Sequence, residues 1–181
     1  NQRNNNLHVE IVSNSNQNSQ SLKSKQNRKI SVPSIPGTQV FEFTTVTLNA
    51  RGKEIESSPG VACSSTEEFG NGNVLEMVYI PGGEFWMGSP ESEGSRYSDE
   101  RPQHLVKIKP FFISKFPITQ TQWKEIANLP QIKSNLKLRP SAKGGKNHPV
   151  TQKSWFEAVE FCDRLSHKTG DKYRLPSEAE W

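Results

Sequence analysis

Two cysteines, four histidines and a short run of acids are the side chains of this 181-residue chain that could do chemistry. A zinc site needs cysteine and histidine pairs at short spacing, and a disulfide scaffold needs several cysteines in a framework. Cys63 and Cys162 lie far apart and fit neither pattern. His8 sits in a polar N-terminal tail, His104 opens a strand, His148 precedes Pro149 and His167 ends a helix, so no shared metal site is read from them. A histidine in the last turn is favoured there by the helix dipole. Glu91, Glu93, Asp99 and Glu100 surround Arg96 and Arg101. Their spacing matches no calcium loop, and a surface loop is expected. Ser154 and Ser177 stand where helix caps belong and are not read as nucleophiles. No catalytic, cofactor-binding or metal-ligating residue is assigned.

The elements that would position these residues follow from turn and cap signals. Val40–Leu48 is rich in β-branched and aromatic residues, and Arg51-Gly52 makes a turn into a short strand at Lys53-Glu54-Ile55. Asn71-Gly72 is a hairpin dipeptide, and Val74–Ile80 after it reads as a well-buried strand. Pro81-Gly82-Gly83 breaks that strand, Glu84–Ser89 resumes it, and strand character returns at His104–Lys109 and Phe111–Ile113. Thr119 and Gln122 form a capping box for a short helix through Trp123, Ile126 and Ala127, which Pro130 closes. Ser154 and Glu157 box the start of a second helix, and Gly170 is its C-terminal stop. Trp155, Ala158, Val159, Cys162 and Leu165 make its apolar stripe. Trp155 and Trp123 are expected to anchor the core, with Cys162 a small apolar core residue. Glu160 and Arg164 stand four apart on the polar side. Ser154→Ala is therefore expected to cost about 1 kcal/mol and Glu160→Ala only a few tenths.

Residues Asn1–Gly37 are dominated by Asn, Gln, Ser and Lys, a composition expected to be a disordered linker. Five cations against Glu10 place the whole net charge of +4 there. No aromatic residue interleaves them for base stacking, so nucleic acid is not expected as a partner. No run approaches the roughly 20 apolar residues of a membrane span and no signal peptide is visible, so a cytoplasmic protein is expected. Ser177 and Glu180 box a further helix start, with Pro176 placed to staple Trp181 and Arg174 placed to pair with Glu178 or Glu180. The sequence ends there, and its methionines are Met77 and Met87. A fragment of a longer protein is the expectation.

Segment order is more informative than any single segment. Met77–Ser89, with Ile80-Pro81-Gly82-Gly83 at its centre, resembles the entry motif of the formylglycine-generating enzyme family, the sulfatase-modifying factor domains. Glu100-Arg101-Pro102-Gln103-His104-Leu105-Val106, Phe116-Pro117-Ile118-Thr119-Gln120, His148-Pro149-Val150, Ser154–Cys162 and Arg174–Trp181 resemble its later motifs, in family order. Ile118 and Gln120 depart from its Pro-Val-Thr-Asn helix start. The resemblance covers residues 74–181 and implies an α+β fold related to C-type lectins, with few helices, short strands and long ordered loops. Residues 38–73 would be an N-terminal β-hairpin extension, and the combination looks bacterial, of cyanobacterial type.

The resemblance implies an oxidoreductase that converts a cysteine in a sulfatase-type Cys-X-Pro-X-Arg sequence to formylglycine with oxygen and copper. Cu(I) would be held by two closely spaced thiolates, the soft ligands it prefers. In the family that pair lies near the C-terminal end of the domain, as do calcium-binding loops, so copper and calcium are implied for the full domain and neither for this fragment. Cys63 has no family counterpart, and in secreted relatives the residue matching Cys162 joins a structural disulfide. No activity is expected of the fragment. The implied partners are a sulfatase-type protein or peptide substrate, or an attached upstream domain. Two alternatives stay open: a non-catalytic regulatory or binding module of the same fold, and a relative that uses the fold beside a non-haem iron site as in sulfoxide synthases.

Overall fold

The computed structural model describes residues 34–138 and 144–181. The expected disordered linker lies outside the described residues except at 34–37, where Pro36-Gly37 makes a turn, Gly37 at φ +77° and Thr38 N donating to Ile35 O at 3.2 Å. Chain contacts divide the molecule between Ser65 and Thr66 into two units.

The first unit is built on a hairpin of β1 (Gln39–Leu48) and β2 (Glu54–Glu68). The second strand extends far past the expected Lys53–Ile55, because Ser57 to Ser64 pairs continuously with Gln39 to Val46. Pro59 and Gly60 lie inside the strand opposite Thr44 and Phe43. Glycine is what the ring of Phe43 requires there: a Cβ on residue 60 would stand 2.5 Å from Phe43 Cζ. The turn is organised by Asn49, whose Oδ1 accepts from Arg51 N at 2.9 Å and Lys53 N at 3.1 Å. This is the local side-chain mimicry of backbone that suits Asn to turns.

In the second unit the end of β2 turns through Asn71 and Gly72, both at positive φ (55° and 71°), into β3 (Val74–Ile80). Two positive φ angles are what a tight hairpin turn matched to strand twist demands. β3 pairs antiparallel with β6 (Phe111–Ser114), and β4 (Gly83–Met87) pairs with β5 (His104–Ile108). Between β4 and β5 the acidic loop folds around one carboxylate. Glu100 Oε2 accepts from Ser89 Oγ at 2.7 Å and Tyr97 N at 3.2 Å, and its backbone carbonyl accepts from Ser89 N at 3.0 Å.

α1 (Gln120–Ala127) starts at the expected capping box. A helix leaves its first N–H groups without intrahelical partners, and here each finds one. Gln120 N donates to His148 O at 2.9 Å, Thr121 N to Lys146 O at 3.1 Å and Gln122 N to Thr119 Oγ1 at 3.2 Å. Gln122 Nε2 reaches on to Val74 O at 2.7 Å, tying the helix start to β3. α2 (Trp155–Thr169) has the expected Ser154–Glu157 box and ends at Gly170, φ +85°.

The face that α2 buries differs from the expected stripe. Glu160, Phe161, Arg164 and Leu165 are buried, whereas Trp155 and Phe156 are 64% and 73% exposed. Trp155 is therefore not a core anchor, and the Glu160–Arg164 pair is not on the solvent side. The core gathers Phe69, Leu75, Trp123, Ile126, Ala127, Leu136, Phe161 and Leu165, with Trp123 stacked on Phe161 at 5.2 Å between ring centres. α1 and the irregular chain after it cover the 160/161/164/165 side; of the expected stripe Leu165 is buried, Cys162 packs half-buried against the core, Ala158 and Val159 are half-buried, and Trp155 is turned out.

Few helices, short strands and long ordered loops make this an α+β domain. Two glycines test how tightly its loops are drawn. Gly170 has a left-handed φ but open space around a would-be Cβ, whereas at Gly88 (φ +98°) that Cβ would stand 2.5 Å from Glu100 O. Gly170→Ala should cost about 1 kcal/mol from backbone conformation alone. Gly88→Ala should cost roughly 2 kcal/mol or more, because a backbone carbonyl must also move. Denaturant melts compare the two, and equal losses would show that the 88–100 loop yields freely.

Candidate functional site

The most heavily engaged polar centre in the described residues is the α2 pair that sequence spacing assigned to the surface. Glu160 and Arg164 are 1% and 2% exposed. Arg164 Nε donates to Glu160 Oε1 at 2.7 Å, and Ile132 N donates to the same oxygen at 2.8 Å. Lys133 N and Ser134 N donate to Oε2 at 2.8 and 3.0 Å. The guanidinium spends its other donors on carbonyls: Nη1 on Ala127 O and Leu129 O, each 2.9 Å, and Nη2 on Ser134 O at 2.7 Å. Burial alone would push the Glu160 carboxyl up. The Ile132 N–H, the Arg164 guanidinium and the N–H groups of Ser134 and Lys133 overcome it and hold the carboxyl at about 2. Both oxygens of Glu160 and four of the five N–H donors of Arg164 are taken by structure.

The chain that this pair holds forms one wall of an open groove of about 440 Å³ at the C-terminal end of α2. Lys133, Asp163, His167, Asp171 and Lys172 line it, with Ile132 as an apolar contribution. Lys133 Nζ lies 2.8 Å from Asp163 Oδ2. The groove collects charges of both signs, and its one hydroxyl, Ser166, is turned onto backbone, Oγ donating to Cys162 O at 2.8 Å and accepting from Tyr173 N at 2.8 Å.

The residues weighed from sequence do not converge on it. Cys63 is buried in the first unit and Cys162 lies half-buried on α2 in the second, with no disulfide at either. Burial, and secondarily Asp163, pushes the Cys162 thiol up to about 11, so it is held as a thiol rather than a thiolate. His104 is exposed with Nδ1 3.0 Å from Pro102 O, His148 is exposed on the strap over α1, and His167 lines the groove. His8 lies outside the described residues. Among the described residues no three His, Cys, Asp or Glu side chains come together as a metal site.

Ser154 Oγ accepts from Glu157 N at 3.2 Å and donates to Glu157 Oε2 at 3.2 Å, a cap rather than a nucleophile. Glu157 is held below the usual carboxylate range by Lys153 Nζ at 2.7 Å and then by Ser154 N. Ser177 and Glu180 form the expected reciprocal pair, Ser177 N to Glu180 Oε2 at 2.8 Å and Glu180 N to Ser177 Oγ at 3.3 Å. Of the two acids offered to Arg174, Glu180 is the partner: Nη1 and Nη2 reach its two oxygens at 2.6 Å each. That bidentate contact, followed by Ser177 N, holds the Glu180 carboxyl at about 2. Trp181 is 91% exposed, so the expected staple against Pro176 does not bury it. Among the described residues no helix is long and apolar enough to cross a membrane.

A family model described as the sulfatase-modifying factor enzyme 1-like domain matches residues 64–181. Over 58 residues the chain is 41% identical to a Bos taurus protein named inactive C-alpha-formylglycine-generating enzyme 2, covering 32% of this chain and 19% of that protein. It is 32% identical over 123 residues to the serine/threonine-protein kinase pkn1 of Chlamydia caviae, 59% of this chain and 18% of the kinase. It is 25% identical over 147 residues to the formylglycine-generating enzyme of Streptomyces coelicolor, 58% of this chain and 45% of the enzyme. The solved structure of PvdO from Pseudomonas aeruginosa superposes with a TM-score of 0.51 at 28% identity, covering 64% of this chain and 48% of that one. The chain spans less than half the length of each of these proteins.

Two measurements test the site as described. Removing one partner of a buried ion pair costs on the order of 3–5 kcal/mol, so Glu160→Ala should destabilise far more than Ser154→Ala, expected at about 1 kcal/mol. The carboxyl falls from an ordinary 4.5 to about 2 on folding. Its contribution is therefore complete above the higher value and fades as pH falls through the lower one. A Glu160→Gln variant should flatten that acid limb in thermal melts, and an unchanged limb would contradict the assignment. Separately, raising the Cys162 thiol from 9.0 to about 11 should make it react roughly a hundredfold more slowly than an exposed cysteine near pH 8. Disulfide-reagent kinetics on a Cys63→Ser variant read this, and a rate within a few fold of a free thiol would refute it.

Proposed function

The chain belongs to the sulfatase-modifying factor enzyme 1-like domain family, and from that premise we propose that residues 64–181 act as the non-catalytic scaffold of such a domain. One observation carries this reading: the polar side chains that could do chemistry are spent on holding the chain. Glu160 and Arg164 organise the segment after α1, Ser154 caps α2, Ser177 caps the turn at 178–180, and Cys162 is kept protonated by burial.

The family's implied copper asks for two thiolates side by side. The described residues do not fit it, since Cys63 and Cys162 belong to different units and Cys162 has its thiol pushed up to about 11. In a protein that brings a thiolate pair to this fold, the proposed activity is oxidation of a sulfatase-type cysteine to formylglycine, with a Cys-X-Pro-X-Arg peptide as partner.

A second reading has support of a different kind. The chain matches a protein named an inactive enzyme and another named a protein kinase. That range supports a binding or regulatory module in a multidomain protein, a use in which the scaffold alone suffices. Fold-level likeness does not choose between the two.

The test incubates the 181-residue chain with a Cys-X-Pro-X-Arg peptide, oxygen and copper, and follows the peptide by mass spectrometry. The expected outcome is no formylglycine. Conversion by this chain would overturn the scaffold reading, and tight peptide binding without conversion would favour the module.

A further inference from the structure

We draw no further inference here: the strongest candidate, the exposed aromatic ledge that Trp155 and Phe156 make at the N-terminal end of α2 with their rings edge-on at 5.3 Å, is an unpartnered apolar face and nothing in the structure shows what covers it.

Discussion

A carboxylate and a guanidinium one helical turn apart hold together the irregular chain that follows α1 in the second unit. Residues 127 to 136 leave α1 with backbone groups that neither helix nor sheet can satisfy, and a buried unsatisfied group costs about 1–3 kcal/mol. Glu160 takes three successive N–H groups from that stretch and Arg164 takes three carbonyls. The pair thus supplies the stretch with hydrogen bonds that a sheet would otherwise have to provide. Leu136 is delivered into the core by the same path, and Trp123 Nε1 reaches Lys137 O at 2.9 Å just beyond it. A buried ion pair need not add net stability over an apolar substitute of the same shape. Here no apolar substitute could accept the N–H groups or donate to the carbonyls, so the pair's worth lies in the backbone it satisfies.

The same economy recurs at the turns. Thr119 with Gln122, Ser154 with Glu157 and Ser177 with Glu180 are reciprocal capping pairs, and in each the third residue also binds something else. Gln122 holds Val74 O, Glu157 holds Lys153 and Glu180 holds Arg174. Lys153 in turn sits over the Trp123 ring at 5.3 Å from its centre. A cap stabilises its own helix by about 1 kcal/mol, and joining caps to neighbouring segments turns local signals into tertiary ties. That is how long loops stay ordered with few helices and short strands.

A family segment held together by such ties occurs among proteins with very different names. The chain's relatives include a protein named an inactive enzyme, a protein named an enzyme and a protein named a kinase.

Signals contained within a few residues were legible in the sequence. Asn71-Gly72 predicts its positive φ pair because only such residues tolerate it, and the Ser, Thr, Glu and Gln of the capping pairs are three apart because the geometry of a first turn requires it. The ordered motifs identified the family before any contact was known. The length of β2 was not legible, since Pro59 and Gly60 look like a break until Phe43 is placed across from them. Nor was the buried face of α2. A Glu and an Arg four apart look the same in sequence whether water or a loop satisfies them, and Trp155 looks like a core residue until Phe161 takes that place against Trp123. Sequence alone determined the turns, the caps and the family. The tertiary structure decided which helix face is buried, because only there do the N–H and C=O groups that justify burying two charges come within reach.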